Sequence, residues 1–243
     1  MKKRIRISTF GILVILLLIA VSLLVDQKPS ASNSEENKSQ SKNEQLISNQ
    51  ADDKSSKGDT ADDLYKVVID PGHGGNDPGS IGASGSYEKD FTLSLATKVY
   101  QLLKQIPQID VYMTRDEDVF LSAEARVRPK FANDLGADLY ISIHANTFTD
   151  PSVSGTETYY YNQNSLSLAN IIHKHVAEAT GFRNRGVKKE NYFVLKDTTM
   201  PATLLEIGYI TNPKDEKMML TDQFQESVAT SIKNGVKEYL EID

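Results

Sequence analysis

From residue 64 onward, the sequence alternates between short runs of β-branched residues and longer segments with helical periodicity. The apolar runs predict strands at 66–70, 109–113, 139–143, 156–161, 193–195 and 203–207. Spacings of three and four residues predict helices at 91–103, around 131–135, at 166–179 and at 224–240. Strands separated by helices favour an α/β fold. We therefore expect a single domain over residues 64–243, with an open, mostly parallel twisted sheet and helices on both faces.

The first 63 residues differ in character and are not expected to belong to this fold. Residues 1–6 are basic and residues 8–25 are uncharged and largely apolar, as in an export signal or a signal anchor. The run is long enough to cross a bilayer and no convincing cleavage site follows it, so an uncleaved anchor over residues 1–25 is favoured. Residues 26–63 are polar and lack aromatic side chains, which predicts a disordered linker. In either case we expect the domain to act outside the cytoplasm, anchored to the membrane or secreted.

The first predicted strand runs directly into a glycine-rich loop that contains His73, one of only four histidines in the chain. Four glycines between residues 72 and 79 let the backbone adopt positive φ and pass close to whatever His73 contacts. Loops at the carboxyl ends of strands are where α/β proteins build their sites. No Gly-Lys-Ser/Thr sequence follows, so the loop is not a phosphate-binding P-loop.

The composition restricts the kinds of site that the chain can form. A net charge of -6 and a pI near 5.3 argue against a nucleic-acid-binding protein, which needs a basic face. The absence of cysteine excludes disulfides, zinc–thiolate sites and cysteine nucleophiles. A metal ion must therefore be held by histidine and carboxylate side chains.

Four such side chains stand where the predicted sheet would bring them to one edge. His73 follows the first strand and His144 ends the third. Glu88 precedes the first helix, and Glu206 is a carboxylate within an apolar strand. Two histidines and one glutamate would leave a fourth zinc position open for water, and a second carboxylate could move that water's proton.

The spacing alone leaves other interpretations open for each of these residues. His73 and His144 could serve only the turn and the strand end. Glu88 could be an acid placed near a helix N-terminus, and Glu206 could form a salt bridge. Asp70 could orient His73 or cap the loop.

Several motifs together resemble the zinc-dependent N-acetylmuramoyl-L-alanine amidases, the type 3 amidase family. The resemblance covers essentially all of residues 66–240, in order, and is carried by residues 67–79 with Glu88-Lys89-Asp90, 137–146, 155–160 and 201–212. It implies that one Zn²⁺ ion is bound by His73, Glu88 and His144, and that Glu206 is the catalytic glutamate. The implied reaction is hydrolysis of the amide between the lactyl group of N-acetylmuramic acid and L-alanine of the peptidoglycan stem peptide.

The resemblance also predicts features of two other segments, one around Arg128 and one at residues 162–165. Arg128 matches an arginine that the family carries on a helix, although Pro129 directly after it would interrupt a helix interior. Some relatives insert a long helix that covers the zinc after the strand matching 156–161. Here only residues 162–165 separate that strand from the next helix, so we expect an uncovered site with no protein activator.

The sequence also leaves two alternative functions open and contains further histidines and basic residues. A zinc hydrolase cutting another peptidoglycan amide (a deacetylase or a peptidase) and a non-catalytic wall-binding module are the alternative functions. His173 and His175 lie two apart on a predicted helix and are expected to be structural or exposed. The basic stretch at 183–189 is expected to be a solvated loop, with contact to anionic wall polymer as the alternative.

Overall fold

The computed structural model describes residues 64–243. Its strands are β1 (Tyr65–Pro71), β2 (Ile109–Met113), β3 (Leu139–Asn146), β4 (Thr156–Tyr160), β5 (Asn184–Lys189) and β6 (Ala202–Tyr209). Its helices are α1 (Glu88–Leu103), α2 (Val127–Leu135), α3 (Leu166–Thr180), α4 (Phe193–Lys196), α5 (Pro213–Met219) and α6 (Asp222–Leu240). One turn of 3-10 helix, Gln163–Ser165, precedes α3. The predicted signal segment and linker lie outside the described residues. Within 64–243, no helix has the length and apolar character that crossing a membrane requires.

The strands form one sheet in the order β2-β1-β3-β6-β4-β5. β1 is parallel to both β2 and β3, and β3 is parallel to β6. β4 is antiparallel to β6, and β5 is parallel to β4. The predicted mostly parallel sheet is therefore confirmed, with one antiparallel junction. Because β1, β3 and β6 run in the same direction, their carboxyl ends meet at a single edge.

Alternating side chains of the sheet build two separate apolar clusters, one on each face. On the face that we call the closed face, Val67, Ile69 and Ile141 pack with residues of α1, α3 and α6. On the other face, which we call the open face, the smaller cluster around Val68 and Tyr140 packs under the short helices α2 and α4. The expectation of helices on both faces is confirmed, although the two faces are covered unequally.

The last two helices, α5 and α6, begin at residues whose side chains cap them. Asn212 accepts hydrogen bonds from the backbone N–H groups of Lys214 and Asp215, with Pro213 at the first helical position of α5. Thr221 in turn accepts from the N–H of Phe224 and begins α6. In α2 the helix starts at Val127, so Pro129 lies in the first turn, where a backbone N–H is not needed.

Two local predictions differ from the structure, and one helix was missed. The strand predicted at 193–195 is wrong: these residues form α4, and Val194 and Leu195 are buried on the open face. A three-residue apolar run is too short for its period to separate strand from helix. The solvated loop predicted at 183–189 is also wrong, because most of it forms the edge strand β5, whose cationic residues are typical of a sheet edge. Helix α5 was not predicted.

Candidate metal centre and active site

His73 occupies a strained position in the loop that follows β1. Its backbone has φ of +61°, in the left-handed region that side chains other than glycine rarely adopt. The preceding Gly72 has a different role, because a Cβ atom there would lie 2.3 Å from Cε1 of His144. The loop therefore needs glycine at residue 72 so that the imidazole of His144 can lie against its backbone.

His73, Glu88 and His144 come together at the carboxyl edge of the sheet. One ligand atom from each lies within 4.8 Å of the other two. Oε1 of Glu88 is 3.2 Å from Nε2 of His73 and 2.9 Å from Nδ1 of His144. Ligand atoms placed tetrahedrally at zinc distances of about 2.0–2.2 Å are separated by about 3.3 Å. The spacing and the donor types of this group therefore suit a zinc ion.

The carboxylate of Glu88 is buried and held in place by the backbone. Its Oε2 accepts the N–H of Ser80 at 2.8 Å, and its Oε1 accepts the N–H of Ala145 at 3.0 Å. Burial raises the pKa of Glu88, but hydrogen bonds and charge from His144 and His73 outweigh it, so the pKa lies well below its usual range. The group stays anionic, as a metal ligand must be.

Asp77 orients His73 from within the same loop. Its Oδ2 lies 2.9 Å from Nδ1 of His73, and its Oδ1 accepts the N–H of Gly79 at 3.1 Å. This pairing leaves Nε2 of His73 facing Glu88. Carboxylates commonly orient metal-binding histidines by accepting the N–H of the other ring nitrogen. The sequence suggested Asp70 for this role, but the side chain of Asp70 contacts Arg128 instead.

Asp70 is instead the centre of a buried network beneath the loop. Its carboxylate accepts hydrogen bonds from Nη1 of Arg128 at 2.5 Å and from the hydroxyl groups of Thr114 and Ser142. Burial raises the pKa of Asp70, but the Arg128 guanidinium and these hydroxyl groups lower it by more, so the pKa lies below its usual value. Asp70 thus acts on the loop indirectly, through Arg128, rather than by capping it, which was the alternative expectation.

Two arginines bind the carbonyl oxygens of the loop that carries His73. Arg128 donates to the carbonyls of Pro71 at 2.7 Å and His73 at 2.5 Å. Arg115 donates to the same Pro71 carbonyl at 3.1 Å and to that of Gly72 at 2.8 Å. Three successive peptide groups are thereby fixed. Arg128 was expected here only from the family resemblance, and no sequence pattern pointed to Arg115.

Glu206 lies beside this group on the neighbouring strand. It pairs with His144 in the register of β6 and β3. Its Oε2 is shielded from solvent and has no hydrogen-bond partner. Burial raises the pKa of Glu206 well above its usual range, and the carboxylates of Glu88 and Glu157 add to this. Within residues 64–243 Glu206 forms no ion pair, so the salt-bridge interpretation does not describe it.

The four predicted residues line one open cavity of about 530 Å³. Leu121, Arg128 and Asn146 lie on other parts of its wall, and Tyr192, Phe193 and Val194 contribute a further side. Since only residues 161–165 connect β4 to α3, no long helix from that connection covers the cavity. The unpartnered carboxylate of Glu206, two histidines and the carboxylate of Glu88 thus share a space large enough for a peptide-sized ligand.

The remaining histidines are away from this cavity, as predicted. His173 is buried between Oγ1 of Thr158 at 2.9 Å and Oδ1 of Asn184 at 2.8 Å. His175 pairs with Glu238 at 2.6 Å across α3 and α6. Both are structural.

Comparison with known proteins gives a consistent result. Residues 67–238 match the Amidase_3 family, described as N-acetylmuramoyl-L-alanine amidase. The chain is 39% identical over 177 residues to the uncharacterized protein YqiI of Bacillus subtilis, which covers 71% of this chain and 84% of YqiI. It is 36% identical over 175 residues to LytH of Staphylococcus aureus, a probable cell wall amidase, covering 71% of this chain and 57% of LytH.

Solved structures of amidases share the fold. The catalytic domain of CwlV, an N-acetylmuramoyl-L-alanine amidase from Bacillus (Paenibacillus) polymyxa var. colistinus, is 44% identical with a TM-score of 0.72, covering 74% of this chain and all of that domain. The CwlD amidase of Clostridioides difficile, solved in complex with the GerS lipoprotein, is 28% identical with a TM-score of 0.67, covering 74% of this chain and 100% of CwlD. The chain therefore belongs to the Amidase_3 family and is an enzyme of the N-acetylmuramoyl-L-alanine amidase class.

Proposed function

We propose that this enzyme hydrolyses the amide between the N-acetylmuramoyl lactyl group and L-alanine of peptidoglycan stem peptides, with one Zn²⁺ held by His73, Glu88 and His144. The observation that carries the proposal is the convergence of these three donors beside the unpartnered carboxylate of Glu206 in one open cavity. Zinc bound there would polarise the scissile carbonyl and make water acidic enough to attack near neutral pH.

Glu206 is the proposed general base and general acid. Its carboxylate takes a proton from the attacking water and passes it to the amide nitrogen as the C–N bond breaks. The products are the muramoyl carboxylate and a stem peptide with a free L-alanine amine. The absence of a hydrogen-bond partner on Oε2 supports this role, because a carboxylate committed to a salt bridge could not exchange protons with substrate.

The other polar groups of the site hold the donors in place. Asp77 fixes the ring orientation and tautomer of His73, and two backbone N–H groups fix Glu88. Arg128 and Arg115 bind the loop carbonyls and so stabilise the positive φ of His73. These contacts prepare the donor set before substrate arrives, which is where much of an enzyme's rate acceleration originates.

The site of action is proposed to be the cell wall, outside the cytoplasm. LytH, a relative at 36% identity, is a probable cell wall amidase, and residues 1–25 have the composition of an export signal or anchor. We also propose that the purified enzyme needs no protein activator, because the short β4–α3 connection leaves the cavity uncovered. CwlD, a more distant relative, was solved with a lipoprotein, so this second proposal needs its own measurement.

The test is digestion of purified peptidoglycan by the purified protein, with and without a chelator. New amino-terminal L-alanine that disappears with the chelator and returns with Zn²⁺ would support the reaction and the metal together. Free acetate would indicate a deacetylase, and other new amino termini a peptidase. Binding to peptidoglycan with no released group would indicate the wall-binding module. Full activity of the protein alone would support independence from an activator, and a many-fold increase with cell-envelope extract would contradict it.

A further inference from the structure

A cluster of aromatic and basic side chains lies next to the cavity on the open face. We call it the basic shelf and define it as Glu157, Tyr159, Arg185, Lys188 and Tyr192. Tyr192 lines the cavity, and its ring meets the ring of Tyr159 edge-to-face at 5.4 Å between centroids. Nζ of Lys188 lies 6.0 Å from the centroid of the same Tyr159 ring. The shelf therefore begins at the cavity wall and continues towards β5.

The buried carboxylate of Glu157 fixes the two cations of the shelf. Its Oε2 accepts Nζ of Lys188 at 2.9 Å, and its Oε1 lies 3.6 Å from Nε of Arg185. The hydroxyl groups of Tyr159 and Tyr209 donate to the same carboxylate. One negative charge thus faces two positive charges, and the Lys188 side chain remains 44% exposed. The shelf keeps a net positive charge with a donor available to solvent.

The shelf is within reach of the proposed scissile bond. Glu157 and Glu206 are directly paired in the register of β4 and β6. Paired residues lie about 5 Å apart, so Lys188, bound to Glu157, is about two strand spacings, or roughly 10 Å, from Glu206. An extended peptide advances about 3.5 Å per residue. A group on the stem residue after L-alanine would lie about 7 Å from the scissile carbonyl, close to the Lys188 ammonium.

Charge differs between the two ends of the cavity. At the His73 end, Asp77 is 47% exposed and lines the cavity wall. At the other end, beyond Tyr192, the exposed charges of β5 are those of Lys188 and Lys189, and the exposed carboxylate of Glu190 follows the strand. An anionic peptide is attracted to the cations of the second end, whereas uncharged sugar rings are not directed by them.

The geometry points to the basic shelf as a subsite for the stem peptide, in which Lys188, supported by Arg185, binds a carboxylate on the residue that follows L-alanine. This inference rests on the proposed function, because it takes the scissile amide to lie beside Glu206. The glycan then occupies the His73 end of the cavity. Lys188 is a specificity-determining residue in this account, and Glu157 positions it.

A pair of substrate fragments tests the subsite directly. N-acetylmuramoyl-L-alanyl-D-glutamate and N-acetylmuramoyl-L-alanyl-D-isoglutamine differ only in whether the α-carboxylate of the second residue is free or amidated. We would measure the dissociation constant of each for the full chain carrying Glu206→Gln, which binds without cleaving. We expect the free acid to bind about three- to tenfold more tightly, as for a partly exposed charge pair.

Three further variants separate the subsite from general electrostatics. Lys188→Met keeps the aliphatic stem and should abolish the preference, and Lys188→Arg should retain it. Arg183→Ala removes one positive charge from the residue next to β5, outside the shelf, and should leave the preference unchanged. Equal affinity for the two fragments, a preference that survives Lys188→Met, or a preference that Arg183→Ala also abolishes would each overturn the inference. If the preference is found but the wild-type enzyme releases no L-alanine terminus from peptidoglycan, the proposed reaction fails and the subsite stands.

Discussion

Leu205 and Glu206 are neighbours in β6, but they point to opposite faces of the sheet and belong to two different regions. Leu205 is fully buried in the apolar cluster of the closed face, beneath the long helices. Glu206 lines the cavity of the open face, where the short helices α2 and α4 leave part of the sheet uncovered. The comparison indicates that burial on one face supplies the stability that lets the other face hold charged groups close together.

The buried polar groups of the open face also differ from one another in whether they have hydrogen-bond partners. Asp70 and Glu157 are buried polar groups whose partners satisfy them. Among the described residues, the only buried side-chain atoms without a partner are Oε2 of Glu206 and the hydroxyl oxygen of Tyr140. Glu206 differs from Asp70 and Glu157, because its Oε2 is a buried carboxylate oxygen without a partner, which costs free energy. A group kept in that state is typical of a functional site rather than of a structural network.

The largest expected effect separates function from stability at Glu206. Glu206→Gln should reduce L-alanine release by about 10³-fold, equivalent to about 4 kcal/mol, because the general base is lost. The melting temperature and the zinc content should not fall, since no ion pair or hydrogen bond of Oε2 is removed. Kinetics, thermal melting and metal analysis on the same preparation measure all three. An active variant would remove Glu206 from the mechanism.

Asp70→Asn should lower the free energy of unfolding, because it breaks a buried ion pair on the open face. It leaves the buried Arg128 without its counter-charge, and breaking such a pair costs about 3–5 kcal/mol. The pKa of Asp70 is lowered in the folded protein, so its contribution is present above the unfolded-state pKa of about 4 and is lost as the pH falls below it. The difference in unfolding free energy between wild type and variant should therefore shrink between pH 5 and pH 3, measured by urea titration. A difference independent of pH would contradict the role of the ion pair.

Ile232→Ala is the matching substitution on the closed face. Ile232 is fully buried in α6, and deleting its side chain should cost about 2–5 kcal/mol of unfolding free energy. Because it lies away from the cavity, the folded fraction should retain its turnover and its affinity for zinc. Denaturant unfolding and assays below the melting transition test this. If activity per folded molecule fell with stability, the two faces would not be separable.

The smallest of these effects concerns Asp77, the carboxylate that hydrogen-bonds the proposed metal ligand His73. Asp77→Asn weakens the hydrogen bond that orients His73 and should lower zinc affinity by about 10–100-fold, as for other groups behind metal-binding histidines. Competition with a chromophoric chelator measures the affinity without relying on activity. Asp118→Asn is the control. The Asp118 carboxylate binds Lys89 and the N–H of Gly75 and does not contact His73, so this variant should leave zinc affinity unchanged.

Some of these features were predictable from sequence and others were not. The strands β1 and β3 and the helices α1 and α6 have long, regular apolar patterns, and their positions were predicted closely. The short segments α4, α5 and β5 carry too few periodic positions to be distinguished.

The donors of the site were predictable because they stand at strand ends and in recognisable motifs. Asp77 and Arg115 were not, since their contacts depend on the fold of the glycine-rich loop. The positive φ of His73 turns Asp77 towards its imidazole, and β1 and α1 bring the loop carbonyls to Arg115. Such contacts arise from tertiary geometry that no local pattern encodes.

The central claim is that His73, Glu88 and His144 hold one zinc ion next to Glu206. Anomalous diffraction at the zinc absorption edge, from crystals of the zinc-loaded protein, tests it most directly. We predict one peak of full occupancy about 2.0–2.2 Å from Nε2 of His73, Nδ1 of His144 and a carboxylate oxygen of Glu88. A peak that uses other side chains, or a zinc-saturated active enzyme with no peak between these three residues, would contradict the account.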